Sequence, residues 1–321
     1  MNNQSHFFCS ELSRDAGEPL YGTASLGQVW LLLEHPSNWG EKALETSQVP
    51  DPVKTYLRAA LKNIEGGRLL LIRQGREASE SINFFIVVAR ESAPYIRRFQ
   101  LKSYEDLLEL EIPKLAQLPH RPEDPPADAP LYLVCTDGKH DKCCAKYGLR
   151  AYQKLRAQFG GSVWESSHVG GDRFAANLVC FPEGLFFGRV SETEAEQVIR
   201  DHQNGQIYLS RYRGRSCYPT QVQVGEYFIR LQSGNLKFDG LRSLDDETGE
   251  PDQALVRFKS VADQAIHLAR FRHKTSPSEI PSSCHSTEKR KVVQYHLLEY
   301  TTFHRPTFPL DQPTTGLGME V

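Results

Sequence analysis

The sequence predicts an α/β fold, and three observations carry that prediction. Apolar runs of strand length, as in LYLVC at 131–135 and SINFFIVVA at 81–89, alternate with segments of helical apolar periodicity. Helix start and stop residues stand where that alternation needs them. Two such α/β regions flank a proline-rich stretch, LPHRPEDPPADAP at 118–130, with five prolines in thirteen positions. That composition suits a stiff, solvated connector better than a core element.

Taken in order, the segment 23–35 contains a strand and leads into a Gly/Pro-rich turn. Residues 51–64 form a helix that Asp51 and Pro52 start. The runs RLLLIRQ and SINFFIVVA are two further strands, and 103–117 is a helix interrupted near Pro113. Beyond the connector, LYLVC is a short buried strand and 142–160 a helix with a glycine-rich end. A strand follows in GSVWESSHVGG, and 175–190 reads as two strands joined by a P-E-G turn. The helix at 191–205 carries a capping box, with Ser191 and Glu194 reciprocal and Gly205 as its stop. The result is a β-α-β-β-β-α unit. RYRGRSC at 211–217 reads as a basic turn and 218–232 as a helix. Residues 234–253 read as loop, ALVRFKS and KRKVVQYHLLEYTTF as strands, and VADQAIHLARFRH as helical. The proline-rich end at 305–314 is expected to wrap the surface, and no internal repeat is legible. The division expected is an N-terminal α/β domain at 1–125, a second domain at 126–235, and a C-terminal extension at 236–321 that packs on the core.

Composition removes several function classes. A formal charge of -2 with no basic tail gives no electrostatic pull toward nucleic acid. No run approaches the roughly 20 apolar residues of a membrane span. The N-terminus lacks a basic region followed by an apolar stretch, so no signal peptide is expected. Seven cysteines cannot all pair, and Cys143 and Cys144 are adjacent, a poor start for a disulfide framework. A cytoplasmic protein with thiolates free for chemistry is the expectation.

The chemistry concentrates in CTDGKHDKCC at 135–144. Cys135 and Cys144 stand as C-x8-C where a strand gives way to a helix, so a polar loop can bring two thiolates together. Downstream, His168 and Asp172 stand four residues apart across a Gly-Gly turn. Thiolates and imidazole can share an iron–sulfur cluster, whereas a carboxylate is a harder and less usual ligand. The same residues also admit a labile dithiol, a zinc site or plain structural cysteines. Asp172 also has Arg173 and Arg189 as candidate ion-pair partners. Cys9, Cys217 and Cys284 are isolated in sequence and read as ordinary buried thiols. The arginines of RYRGRSC suit either a bound anion, an acidic partner or the cluster itself, or local carboxylates in a solvated turn.

CTDGKHDKCC, HVGGDRFAAN, FPEGLFFGRV and RYRGRS together resemble the sucrase/ferredoxin-like family, over most of the chain and most strongly at 131–190. The resemblance implies a thioredoxin-like ferredoxin domain, with the N-terminal α/β domain a candidate for the same fold. It also implies a [2Fe-2S] cluster, with Cys135 and Cys144 as the first ligand pair and His168 opening the second. Some members have a second histidine where this chain has Asp172, so Asp172 is the fourth expected ligand, with Cys143 and Cys180 as substitutes. The implied function is soluble electron transfer with a redox protein as partner. The alternatives are a thiol-disulfide redox protein or a non-enzymatic binding protein with a degenerate site. Nothing in the sequence supports sucrose hydrolysis.

Overall fold

The computed structural model describes residues 7–75, 80–119, 129–248 and 252–304. Its elements, in chain order, begin with α1 (Cys9–Asp15), β1 (Val29–Glu34), the short α2 (Ala43–Thr46), α3 (Asp51–Lys62), β2 (Gly67–Arg73), β3 (Ile82–Val88) and β4 (Tyr95–Leu101). A 3-10 turn (Tyr104–Glu109) and α4 (Ile112–Gln117) close the first unit. The break expected near Pro113 is there, and the proline stands in the first turn of α4, where its missing N–H costs nothing. The second unit runs β5 (Leu131–Cys135), a π turn (Cys144–Gly148), α5 (Leu149–Phe159), β6 (Val163–Ser166), β7 (Leu178–Phe181), β8 (Leu185–Phe187) and α6 (Glu192–Gln203). Then come β9 (Tyr212–Arg215), α7 (Thr220–Ser233), β10 (Leu241–Thr248), β11 (Gln253–Ser260), β12 (Ile266–Pro281) and β13 (Lys289–Phe303). Most of the connector, at 120–128, and the proline-rich end lie outside the described residues.

One nine-stranded sheet has the order β4-β3-β1-β2-β6-β5-β7-β8-β9. Its two halves repeat a single topology. In each, a helix crosses over between two parallel strands (β1 and β2, then β5 and β6), and the next two strands add antiparallel on the far side. The strand pairing between the halves is short, with Ile72↔Ser166 and Arg73↔Glu165 in register. So short a joint lets the sheet fold about it until one face closes on itself. Trp30 of β1 packs 5.5 Å from Phe181 of β7, and Phe85 of β3 packs 5.6 Å from Trp164 of β6. The sheet and its inner core therefore run without a break from one side of the connector to the other. Strand alternation sends Leu31 and Leu33 outward beneath α3, and Tyr132 and Val134 outward beneath α5 and α6.

A second sheet, the antiparallel meander β10-β11-β12-β13, packs on α7 through Val222, Val224, Phe228, Val256 and Phe271. Three readings change here. Residues 241–248, read as loop, form β10, and the segment read as helical supplies β12, in which buried residues alternate with half-buried or exposed ones over 266–271. RYRGRSC is not a solvated turn: Tyr212–Arg215 is a fully buried strand against β8. Arg211 keeps a partly exposed carboxylate partner in Glu194, whereas Arg213 and Arg215 make their contacts inside the protein, as described below.

Candidate metal centre

The site forms where β5 ends. Cys135 is the last residue of that strand, and Cys144 opens the π turn that leads into α5. Gly148 lets this turn lie against the strand end, because a β-carbon there would overlap the Cys135 carbonyl oxygen. Between the two cysteines, Asp137 ties the loop together. Its carboxylate accepts the His140 backbone N–H at 3.2 Å and the His168 backbone N–H at 3.3 Å, bridging the two segments that carry the histidines.

The opposite wall is the Gly-Gly loop after β6. Gly171 has a φ of +83°, and a β-carbon there would come within 2.5 Å of the Arg213 guanidinium. Arg213, from the buried RYRGRSC strand, donates to Asn177 Oδ1 at 2.8 Å, to Gly170 O at 3.0 Å and to Thr23 Oγ1 at 3.0 Å. It holds this loop in place from beneath. Arg215 is likewise buried and donates to the Phe238 carbonyl oxygen.

The four residues expected from the sequence converge. The ligand atoms of Cys135, Cys144 and His168 all lie within 4.8 Å of one another, and the same limit holds for His140, His168 and Asp172. Cys144 Sγ donates to Asp172 Oδ1 at 3.6 Å. His168 Nδ1 lies 2.9 Å from that oxygen, yet it is buried and has no aligned hydrogen-bond partner, so the contact is an ion pair. His140 stacks on His168 with ring centroids 3.7 Å apart, and its Nε2 is 3.9 Å from Asp172 Oδ2. The Nδ1 of His140 meets the Glu41 carbonyl oxygen at 3.2 Å. That is the outer contact that fixes an imidazole tautomer and leaves Nε2 with a lone pair for a metal.

Charge is strongly coupled across the group. The Cys144 contact pulls the Cys135 thiol well below its ordinary range, with His168 helping against burial. Cys144 moves the other way, through Cys135 first and burial second. Burial opposes a charged His168, but Asp172 and Cys135 outweigh it and raise its pKa to about 10. Burial would likewise raise Asp172, and His168 outweighs it to hold the carboxyl below its usual value. Cys135 and Cys144 are buried, while the side chains of His168 and His140 are 22% and 31% exposed. Solvent therefore meets the group at its imidazole edge.

Other expected participants lie elsewhere. Cys180 is one strand position from Val179, on the sheet face away from Cys135, and is core. Cys143 and Cys144, offset by about 100° on a helical turn, join different groups. It joins Cys9, Asp141 and Cys284 in a second buried group close enough to hold a metal ion. Cys9 and Cys284, expected to be ordinary thiols, carried no local sequence signal, being 275 residues apart. His140 did carry one: it stands inside the ligand loop itself.

A model of the sucrase/ferredoxin-like family matches residues 20–214, more than half of the chain. The chain belongs to the sucrase/ferredoxin-like family. The matched span of this family member includes both β-α-β-β-β-α units and the whole cysteine–histidine group, and it ends within β9. Among solved structures, two cysteine-to-serine variants of the thioredoxin-like [2Fe-2S] ferredoxin from Aquifex aeolicus match, each at 12% identity and a TM-score of 0.24. Each match covers 26% of this chain and 97% of the ferredoxin. No curated protein matches the sequence. Among the described residues, no helix is long and apolar enough to cross a membrane.

The donor set fits an iron–sulfur centre. Two buried sulfurs and a His168 ring nitrogen converge at one point, and a second imidazole, that of His140, stacks beside it.

Proposed function

We propose that this protein is an electron carrier holding a [2Fe-2S] cluster, and that both β-α-β-β-β-α units are thioredoxin-like. One observation carries the proposal: the buried sulfurs of Cys135 and Cys144 converge with a His168 ring nitrogen at a strand end. Cys135 and Cys144 would serve as one ligand pair and His168 would open the other. For the fourth place the candidates are Asp172 and His140. We favour His140 Nε2, because imidazole suits an iron–sulfur centre better than a carboxylate does. Asp172 then stands as the anion beside both rings. The bound group would supply one-electron oxidation and reduction. The protein's part is to bury the sulfurs, keep the imidazole edge at the surface, and hold both ligand loops through Asp137 and Arg213.

The exposed Lys139 and Lys142 flank His140, which favours a redox protein with an acidic face as partner. All seven cysteines are unpaired, which supports a reducing compartment such as the cytoplasm.

Anaerobic purification with iron and sulfide analysis and electron paramagnetic resonance tests this reading. The wild type should carry stoichiometric iron and sulfide, and Cys135→Ser and Cys144→Ser should each lose them. A His140→Ala change should alter the reduced spectrum more than Asp172→Ala does; the reverse ranking would assign the fourth place to Asp172. A colourless wild type whose Cys135 and Cys144 form a reversible disulfide would replace the electron carrier with a thiol-disulfide protein.

A further inference from the structure

We infer that Cys9, Asp141, Cys143 and Cys284 form a structural zinc site, separate from the electron-transfer centre and independent of how that centre is read. The three sulfurs make a nearly equilateral triangle. Cys9 to Cys143 is 3.6 Å, Cys143 to Cys284 is 3.4 Å, and Cys284 to Cys9 is 3.6 Å. Thiolates bound tetrahedrally to one zinc ion at about 2.3 Å stand roughly 3.8 Å apart, so this triangle is a few tenths of an ångström from that spacing. A disulfide would need about 2.05 Å and would leave one of the three sulfurs unmatched. The Asp141 carboxylate completes the set, its oxygens 3.7 and 3.8 Å from Cys9 Sγ.

The surroundings suit thiolates and a cation. Ser10 Oγ donates to Cys143 Sγ at 3.2 Å, and the Cys9 backbone N–H donates to Cys284 Sγ at 3.4 Å. The backbone N–H groups of Cys143 and Cys284 donate to Asp141 at 2.8 and 2.6 Å, which fixes the carboxylate as outer contacts fix a metal ligand. Cys9, Asp141 and Cys143 are fully buried and Cys284 is 9% exposed. Among the described residues no lysine or arginine pairs with Asp141, so the acid shares its pocket with three sulfurs and no counter-charge. Burying such a group is costly unless a cation joins it. Four protein ligands and no open position mark a structural site, and a thiolate-rich tetrahedral set favours zinc.

Such a site would bind three distant pieces of chain. Cys9 starts α1, Asp141 and Cys143 lie in the loop before the π turn, and Cys284 lies in the connection between β12 and β13. Because Cys143 precedes Cys144, the ion would also fix the loop that carries the electron-transfer ligand.

Metal analysis of the full-length chain, grown with zinc and iron both supplied, tests the inference. About one zinc per chain should survive dialysis against a chelator, and Cys9→Ser and Cys284→Ser should each lose most of it. A Cys217→Ser control should retain it. Cobalt(II) exchanged into the wild type should show thiolate charge-transfer and tetrahedral ligand-field bands, a readout that stands even if the variants do not fold. The Cys135→Ser chain should lose iron and keep zinc, which separates the two sites. Zinc-free wild type, iron in place of zinc, zinc retained by both serine variants, or a disulfide among the three cysteines would each overturn the site.

Discussion

At the scale of single residues, Arg213 shows how a charge can work without a ligand. Its guanidinium is buried and fully engaged beneath the Gly-Gly loop, so its service to the site is positional. Arg213→Ala would leave Asn177 Oδ1 and the Gly170 carbonyl oxygen without their donor. A cost on the order of 3 kcal/mol is expected from two unsatisfied buried acceptors. Denaturant midpoints should show that loss, and iron content should fall with it because His168 and Asp172 ride on the same loop. Stable protein with full iron incorporation would show that the loop holds itself. His140 makes the complementary point. It was visible in CTDGKHDKCC from the start, but nothing in a linear spacing says that its ring lies on His168.

Among the elements, α1, the 3-10 turn Asp172–Phe174 after the Gly-Gly loop and β13 meet at one acid. Buried Glu18 accepts from Ser13 Oγ at 2.5 Å and Arg173 Nε at 2.9 Å, and it also pairs with Arg290. Burial alone would raise its pKa, but the arginines and Ser13 outweigh that and hold the carboxyl below the ordinary glutamate value of 4.5. A depressed carboxylate stabilises the fold above its unfolded pKa, and that contribution fades as pH falls through the folded value. Glu18→Gln should therefore cost about 2 kcal/mol at neutral pH, reduced from a fully buried pair because both arginines are partly exposed. The gap between wild type and variant should close below about pH 4.5 in urea titrations run across pH. A gap that stays constant down to pH 3 would place the acid dependence elsewhere. Gly148→Ala tests the π turn in the same way: by pushing Cys144 off the strand end it should reduce iron incorporation, read by metal analysis.

For the molecule as a whole, the inner core joins the two α/β units. Trp30 contacts Phe181 and Phe186 of the second unit while sitting in the first strand of the first. Trp30→Ala should cost about 3–5 kcal/mol. Because the core is shared, near- and far-ultraviolet circular dichroism should report one coincident unfolding transition in wild type and variant alike. Two separated transitions would show that the units unfold independently. Most elements of both units were legible from periodicity, caps and turn residues, since those signals are local. The repeat of topology was not, because it lies in strand order rather than in residue identity. β10 and β12 were missed because edge and meander strands take their conformation from pairing partners.

The family resemblance implied that His168 and Asp172 join Cys135 and Cys144, and the sequence by itself determined the α/β class, the strand-end position of Cys135 and its nearness to Cys144. Each of these rests on spacing within a short stretch, where chain connectivity already limits how far side chains can part. Only the tertiary structure decided that Cys143 turns away from Cys144 to meet Cys9 and Cys284, that His140 lies on His168, and that Arg213 and Arg215 point inward. Those contacts join residues tens to hundreds of positions apart. They exist because strand pairing within the second half, and the packing of α1 and the β12–β13 connection against its ligand loop, bring distant segments together.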